Sequence, residues 1–266
     1  MAVANLDNQP GVTVARLERS MLTSWPALST SFDGDWVIRL AKGVTNRSNS
    51  VTCLGNEAED LEARIDRIEA VFERWSLPPT FRISPLASPT LTDALDRRRW
   101  RRFDESIVMT ADLPLHSEWK TENSFETEIA EAPDHAWLDT CCRIEGTRTT
   151  DAATLSRMFE CLIPRAGYGR ILKDDEIAAL AMVVVDHELV GLFEVMTAKK
   201  RRRQGFSRAL VSDLFRFGEE QGAMKGWLAV AAENEPAVNL YRSLGFSEVY
   251  RYHYRSKASS SDQQSR

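Results

Sequence analysis

The chain lacks the residue combinations that build metal centres, disulfide frameworks and membrane spans. Its 266 residues include four histidines and four cysteines. Cys53, Cys141, Cys142 and Cys161 make no C-x-x-C pair, and Cys141 and Cys142 are neighbours that cannot easily bridge to each other. That usage reads as a reduced, cytoplasmic protein without structural zinc. His187 in a turn and His135 at a helix start form no cluster with other ligand-type side chains, so no metal is expected.

Positive charge is also not in excess: 34 Lys and Arg stand against 39 Asp and Glu, a formal net charge of -5. Coating a nucleic acid requires a broad cationic surplus, so no nucleic-acid partner is expected. No apolar run approaches the length of a bilayer span, and the N-terminus from Met1 to Gly11 has no basic start followed by an apolar stretch. Membrane insertion and secretion are therefore not expected. What the chain does have is 43% hydrophobic content, enough for one large or two modest cores.

Periodicity predicts a helix at 16–26 and two extended runs within 36–54, separated by the polar turn 43–49. Leu61, Ile65, Ile68, Phe72 and Trp75 recur at helical spacing, and that helix must stop before Pro78-Pro79. A strand (80–84), a short helix (90–98) and a strand (106–111) follow. The proline- and charge-rich segment 112–124 reads as a connector. Beyond it come a strand (125–130), helices near 134–143 and 151–163, and a hairpin of buried strands, 177–185 and 189–196, turning at Asp186-His187. A helix (207–221), an apolar strand (227–232), a short helix (236–243) ending at Gly245, and a final strand (246–254) complete the order. The polar tail from Ser256 is expected to be disordered. The sequence of elements predicts a mixed α/β (α+β) architecture. The first half repeats the later one only in outline.

The segment Lys199-Lys200-Arg201-Arg202-Arg203-Gln204-Gly205-Phe206-Ser207-Arg208 lies between a buried strand and an amphipathic helix. A helix start presents unpaired N–H groups and partial positive charge, which together suit a phosphate. Gly205 lets a ligand approach the backbone, and Ser207 is small enough not to block it. A solvated charge run explains the basic residues equally well when they are taken alone.

A second pattern, Asn234-Glu235-Pro236-Ala237-Val238-Asn239-Leu240-Tyr241-Arg242-Ser243-Leu244-Gly245-Phe246, follows downstream. As structure it reads as Asn234 capping a helix, Pro236 in the first turn and Gly245 ending it. Arg202-x-x-Gly205-x-Ser207 resembles the acyl-CoA signature Arg/Gln-x-x-Gly-x-Gly/Ala of the GNAT superfamily of N-acetyltransferases, with Ser207 as a conservative departure. The downstream segment resembles the same superfamily's Asn-x-x-Ala-x-x-Leu-Tyr-x-x-x-Gly-Phe. The resemblance covers residues about 125–255 and implies tandem GNAT-like mixed sheets flanked by helices. Residues 1–118 would be a degenerate GNAT-like domain, 119–255 the acyl-CoA-binding GNAT domain and 256–266 a tail.

The resemblance further implies that acetyl-CoA is the cosubstrate and an amine the acceptor, in a monomer or homodimer. Val195, Met196, Thr197, Arg202, Arg203, Gln204, Gly205, Phe206, Ser207, Arg208, Asn234, Ala237 and Tyr241 would line the cosubstrate. In such relatives two central strands splay after a bulge, and the pantetheine arm joins the gap like an added strand. An alkyl amine is only about a thousandth deprotonated near neutral pH, so a base or water relay is needed. Glu194, on the strand entering the loop, is the candidate base; an exposed strand glutamate or a partner for Arg208 is the plainer reading. Tyr241 is implied as the proton donor to the leaving thiolate, against an ordinary packing role.

In the first half, the turn Gly55-Asn56-Glu57-Ala58-Glu59-Asp60 is acidic where a phosphate would need positive charge, and 95–100 carries no tyrosine. This copy is expected not to bind CoA. The segment 43–50 resembles a polar stretch of some two-part bacterial members of the superfamily, and an ordinary hairpin loop explains it nearly as well. Arg97, Arg98, Arg99, Arg101 and Arg102 are read as meeting an acidic surface. Gly205-Phe206-Ser207-Arg208-Ala209 only approximates a hydrolase elbow. A unit that binds acyl-CoA as sensor or scaffold, without transfer, stays open as the alternative.

Overall fold

The structure is a computed structural model that describes residues 13–55, 60–115, 125–143 and 152–257. The chain divides into two compact units. Unit 1 comprises Met1–Arg19, Ala27–Ser106 and Tyr250–Arg266; unit 2 comprises Ser20–Pro26 and Ile107–Val249. Residues 56–59 of the acidic turn, residues 116–124 of the expected connector and the polar tail from 258 onward lie outside the described residues.

Unit 1 draws on α1 (Val14–Ser24), β1 (Ser29–Asp33), β2 (Trp36–Leu40), β3 (Val51–Cys53), α2 (Leu61–Arg74), β4 (Thr80–Ile83), α3 (Pro89–Arg97), β5 (Arg101–Asp112) and β11 (Ser247–Ser256). Its strand order is β1-β2-β3-β4-β11-β5. Alternation places Trp36, Ile38, Val51, Phe81 and Ile83 on one face, where they pack with Ile65, Ile68 and Phe72 of α2 and Leu91 and Leu95 of α3. The alternate positions Arg39 and Arg82 are buried as well. Arg82 Nη2 donates to Glu18 Oε1 at 2.9 Å, the Tyr250 hydroxyl donates to the same carboxylate, and the Arg82 guanidinium lies 3.8 Å over the Tyr252 ring. Burial, and then Arg82, lower the Arg39 pKa to about 10.

The polar segment after Gly43 is held by its own side chains. Thr45 Oγ1 accepts from Ser48 N–H, and Asn49 Oδ1 accepts from Ala41 and Gly43 N–H at 2.7 and 3.0 Å. In the arginine run, Arg97 and Arg98 pair with Glu62, Arg98 also with Asp66 and Glu69, and Arg102 with Glu105. Those three arginines therefore meet acidic surface within their own unit.

Unit 2 contains β6 (Thr127–Ala130), α4 (His135–Arg143), α5 (Ala152–Phe159), β7 (Arg165–Lys173), β8 (Glu176–Asp186), β9 (Leu189–Thr197), α6 (Phe206–Glu220), β10 (Lys225–Ala231) and α7 (Glu235–Ser243). The order runs β5-β10-β9-β8-β7-β6. Strands β6 to β9 pair antiparallel, whereas β10 pairs parallel to β9. Helix α6 buries Leu210, Val211, Leu214 and Phe215 against Val183, Val190 and Leu228 in the same apolar cluster.

Strands β1 and β7 were not anticipated from periodicity. Strand β1 is mostly exposed and polar, so it has no apolar alternation to read. Strand β7 carries Gly167 and Gly169, which are weak strand formers. A Cβ there would meet Phe217 at 2.8 Å and Leu210 at 2.9 Å, so helix packing dictates glycine. Trp75, counted on the buried helix face, instead follows α2 as its C-cap and is 46% exposed.

Helix α4 is fixed at both of its visible anchors. Asp134 Oδ1 accepts from Trp137 N–H at 2.8 Å, and Arg170 Nη1 donates to Asp134 Oδ2 at 2.5 Å. The Trp137 N–H, and after it Arg170, hold the Asp134 carboxyl below its ordinary range against the opposing effect of burial. One turn in, Trp137 Nε1 donates to Gly169 O at 3.1 Å, and its ring meets Tyr168 edge-on at 5.3 Å. Asp134→Ala is expected to cost about 1 kcal/mol at neutral pH, the usual value of an N-cap. A depressed folded-state pKa gives stability that is present above the unfolded carboxylate value of about 3.9 and lost as pH falls through the folded value. Denaturant titrations of the two proteins should therefore differ near pH 7 and converge in acid.

Candidate active site

Strand β9 is irregular where it matters. Its register with β8 pairs Met182 with Phe193 and Leu180 with Met196, so β9 has two residues, Glu194 and Val195, opposite the single Ala181. That is a β-bulge, and Glu194 takes the left-handed backbone that bulges of this kind use, with φ 54. On the other side, the ladder between β9 and β10 ends at Leu228–Leu192, although β10 runs on to Ala231 and β9 to Thr197. Beyond the bulge the backbone edge of β9 that faced β10 is thus released, at the half-buried Val195, the buried Met196 and the half-buried Thr197.

The strand then feeds a short loop. Lys199–Arg201 form a single 3-10 turn, tied down by ion pairs from Lys200 to Glu176 and from Arg201 to Asp174. Those cations hold the Glu176 and Asp174 carboxyls below their ordinary range. Gln204 Nε2 donates to Lys200 O at 3.1 Å, and Arg202 Nε to Thr197 O at 3.4 Å. With Lys200 and Arg201 committed, Arg202 and Arg203 are left exposed beside exposed Gly205, and no carboxylate among the described residues pairs with either.

Gly205 is the N-cap of α6 with φ 92, a conformation that glycine adopts without the penalty of a Cβ. No side chain caps the helix. The first helical backbone bond is Ala209 N–H to Gly205 O, which leaves the N–H groups of Phe206, Ser207 and Arg208 without intrahelical acceptors. Donors and macrodipole point the same way, so the turn suits an anionic ligand and contains no carboxylate of its own. The turn is braced on each side. Thr197 Oγ1 and Ser207 Oγ lie 2.6 Å apart, and Arg208 Nη2 donates to Ser243 Oγ of α7 at 2.8 Å. Ser207 therefore does more than leave room: it clamps the loop to the end of β9.

Other residues singled out from sequence fall as follows. Asn234 Oδ1 accepts from Ala237 N–H at 3.2 Å, so these two form the N-terminal cap of α7. Tyr241 is 6% exposed and packs edge-on to Phe246 at 6.2 Å. Burial raises its phenol above the ordinary value, keeping it protonated across neutral pH. Glu194 is 8% exposed, not a surface glutamate, and accepts from Cys141 Sγ of α4 at 3.5 Å. That partner was missed, because the cysteines were considered only for bridges and metals. The i, i+4 spacing of Trp137 and Cys141 on an amphipathic helix was the available signal.

Comparison with known proteins follows the same lines. The family described as "Probable histone acetyltransferase Rv0428c C-terminal" matches residues 12–255. YobR of Bacillus subtilis, described as an uncharacterized N-acetyltransferase, is 30% identical over 248 residues, which is 92% of this chain and 98% of that protein. A GCN5-related N-acetyltransferase from Kribbella flavida superimposes with a TM-score of 0.65 at 15% identity, covering 90% of this chain and 92% of the other. A tandem GNAT protein from the clavulanic acid biosynthesis pathway gives a TM-score of 0.58 at 13% identity, over 74% and 69% of the two chains. At those identities the two structures speak to fold alone. No described helix is long and apolar enough to cross a membrane.

Replacing Gly205 by Val forces a β-branched residue into the left-handed region, with its Cβ 3.7 Å from Phe125, and so distorts the start of α6. Affinity for coenzyme A, measured by calorimetry, should fall at least about tenfold, the equivalent of about 1.4 kcal/mol. Unchanged affinity would place the anion elsewhere.

Proposed function

Because the chain belongs to the GNAT superfamily of N-acetyltransferases, we propose that it moves the acetyl group of acetyl-CoA directly onto a primary amine, with unit 2 as the catalytic unit. The observation that carries this reading is the combination of a left-handed bulge at Glu194 with an uncapped helix start at Gly205, on one strand and the turn that follows it. The pyrophosphate would sit against the N–H groups of Phe206, Ser207 and Arg208, with Arg202 and Arg203 adding charge and Gln204 bracing the turn. The amide-bearing arm would pair with the freed edge at Val195, Met196 and Thr197, as a strand added to a sheet. Asn234 and Ala237 act by fixing the start of the helix that presents Tyr241.

In the reaction the amine nitrogen attacks the thioester carbonyl, the C–N bond forms and the C–S bond breaks. Glu194 takes the proton lost by the amine, directly or through water, and Tyr241 gives a proton to the departing thiolate. The raised phenol value suits a group that must arrive protonated. Unit 1 serves in this reading as a degenerate GNAT-like copy without cosubstrate of its own. Its polar face holds the buried ion pair of Glu18 and Arg82.

The acceptor amine is the finer question, and a panel of N-terminal and lysine peptides, polyamines and amino sugars, followed by thiol release from acetyl-CoA, addresses it. Glu194→Gln should lower kcat about a hundredfold, within the range for losing a general base, while leaving the affinity for coenzyme A unchanged. Tyr241→Phe should lower kcat about tenfold or more. Full turnover in either variant removes that residue from its role, and a parent protein that binds coenzyme A but acetylates no amine favours a sensor or scaffold.

A further inference from the structure

Helix α4 contributes a side chain to the bulge that the reaction just described does not use. Cys141 is 1% exposed, and its Sγ lies 3.5 Å from Oε2 of Glu194, across from another element of unit 2. The approach is not incidental to a mobile helix. Trp137, one turn earlier on the same face, is 2% exposed and bonds Gly169 O of β7, while Asp134 caps the helix and binds Arg170 of the same strand. The rotation and depth of α4 on the sheet are therefore set at two points, and i, i+4 geometry delivers Cys141 to the bulge.

A glutamate with left-handed φ at a bulge leaves the regular alternation of its strand, and here its carboxylate meets Cys141 of α4. Resting on the reading of Glu194 as base, the geometry points to Cys141 as a positioning residue: its S–H donates to Oε2 and fixes the orientation in which the carboxylate receives the amine proton. A thiol is a weak donor, but donation to an ionised oxygen is stronger than to a neutral one. No bond is made or broken at sulfur. The thiol is the same before and after turnover.

The test is a double-mutant cycle on the full chain, using the amine of the panel that turns over fastest. Cys141→Ala should lower kcat about fivefold, with KM for acetyl-CoA and affinity for coenzyme A unchanged. Cys141→Ser, which keeps a donor, should recover most of that loss. In the Glu194→Gln background Cys141→Ala should cost nothing further, because the group it orients is gone; a merely structural cysteine would give additive losses. Cys141→Val, close in volume and without a donor, repeats the measurement if the alanine variant does not fold. Parent-like kcat in Cys141→Ala, or an undiminished penalty in the Glu194→Gln background, overturns the assignment of Cys141 alone. Full turnover in Glu194→Gln overturns the base and its positioning residue together.

Discussion

Between Phe193 and Met196 the chain uses one residue more than the strand beside it, and the candidate site is arranged around that insertion. An extra residue in one strand of an antiparallel pair bends it and disrupts the local ladder. Here the consequence falls on the opposite edge. The parallel ladder to β10 ends at Leu192, one residue before the bulge begins to develop at Phe193. Peptide groups left without a neighbouring strand need another partner or water, and an extended ligand rich in amides satisfies the same requirement. The left-handed backbone of Glu194 is part of the same constraint, since a non-glycine residue holds it only where its surroundings over-determine it.

The loop after β9 complements the bulge electrostatically. A run of five basic residues looks undifferentiated in sequence, yet the structure divides it. Lys200 and Arg201 are neutralised by the acidic turn between β7 and β8, which anchors the 3-10 turn. Arg202 and Arg203 remain beside the uncapped start of α6. In the proposed function, anchoring and attraction of the phosphates are thus separate duties of adjacent residues. Thr197 and Ser207, in contact across the turn, keep its two ends at a fixed spacing. Clamping of this kind matters because a helix terminus attracts an anion only over about its first turn.

Much of this was legible before the fold. The two signature segments, their order and the helices they belong to follow from glycine position, capping residues and period, and α6, α7 and β10 lie where those signals put them within a residue or two. Strand β7 escaped because its glycines answer to α6, a contact far away in sequence. The neighbour of Glu194 escaped for a related reason. Cys141 is 53 positions away, and only the packing of α4 by Trp137 brings it to the bulge. The bulge itself is invisible in composition, because Phe193, Glu194 and Val195 read as an ordinary strand. The arginines near position 100, read from sequence as meeting an acidic surface, do so at Arg97, Arg98 and Arg102, where local carboxylates pair with them.

In the proposed function an opened strand edge and an uncapped helix start serve one extended, phosphate-bearing ligand. Hydrogen exchange of backbone amides, with and without saturating acetyl-CoA, reports on both at once. The ligand should slow exchange along residues 195–197 and at Phe206, Ser207 and Arg208. Slowing at neither segment, or at only one of them, would contradict the account.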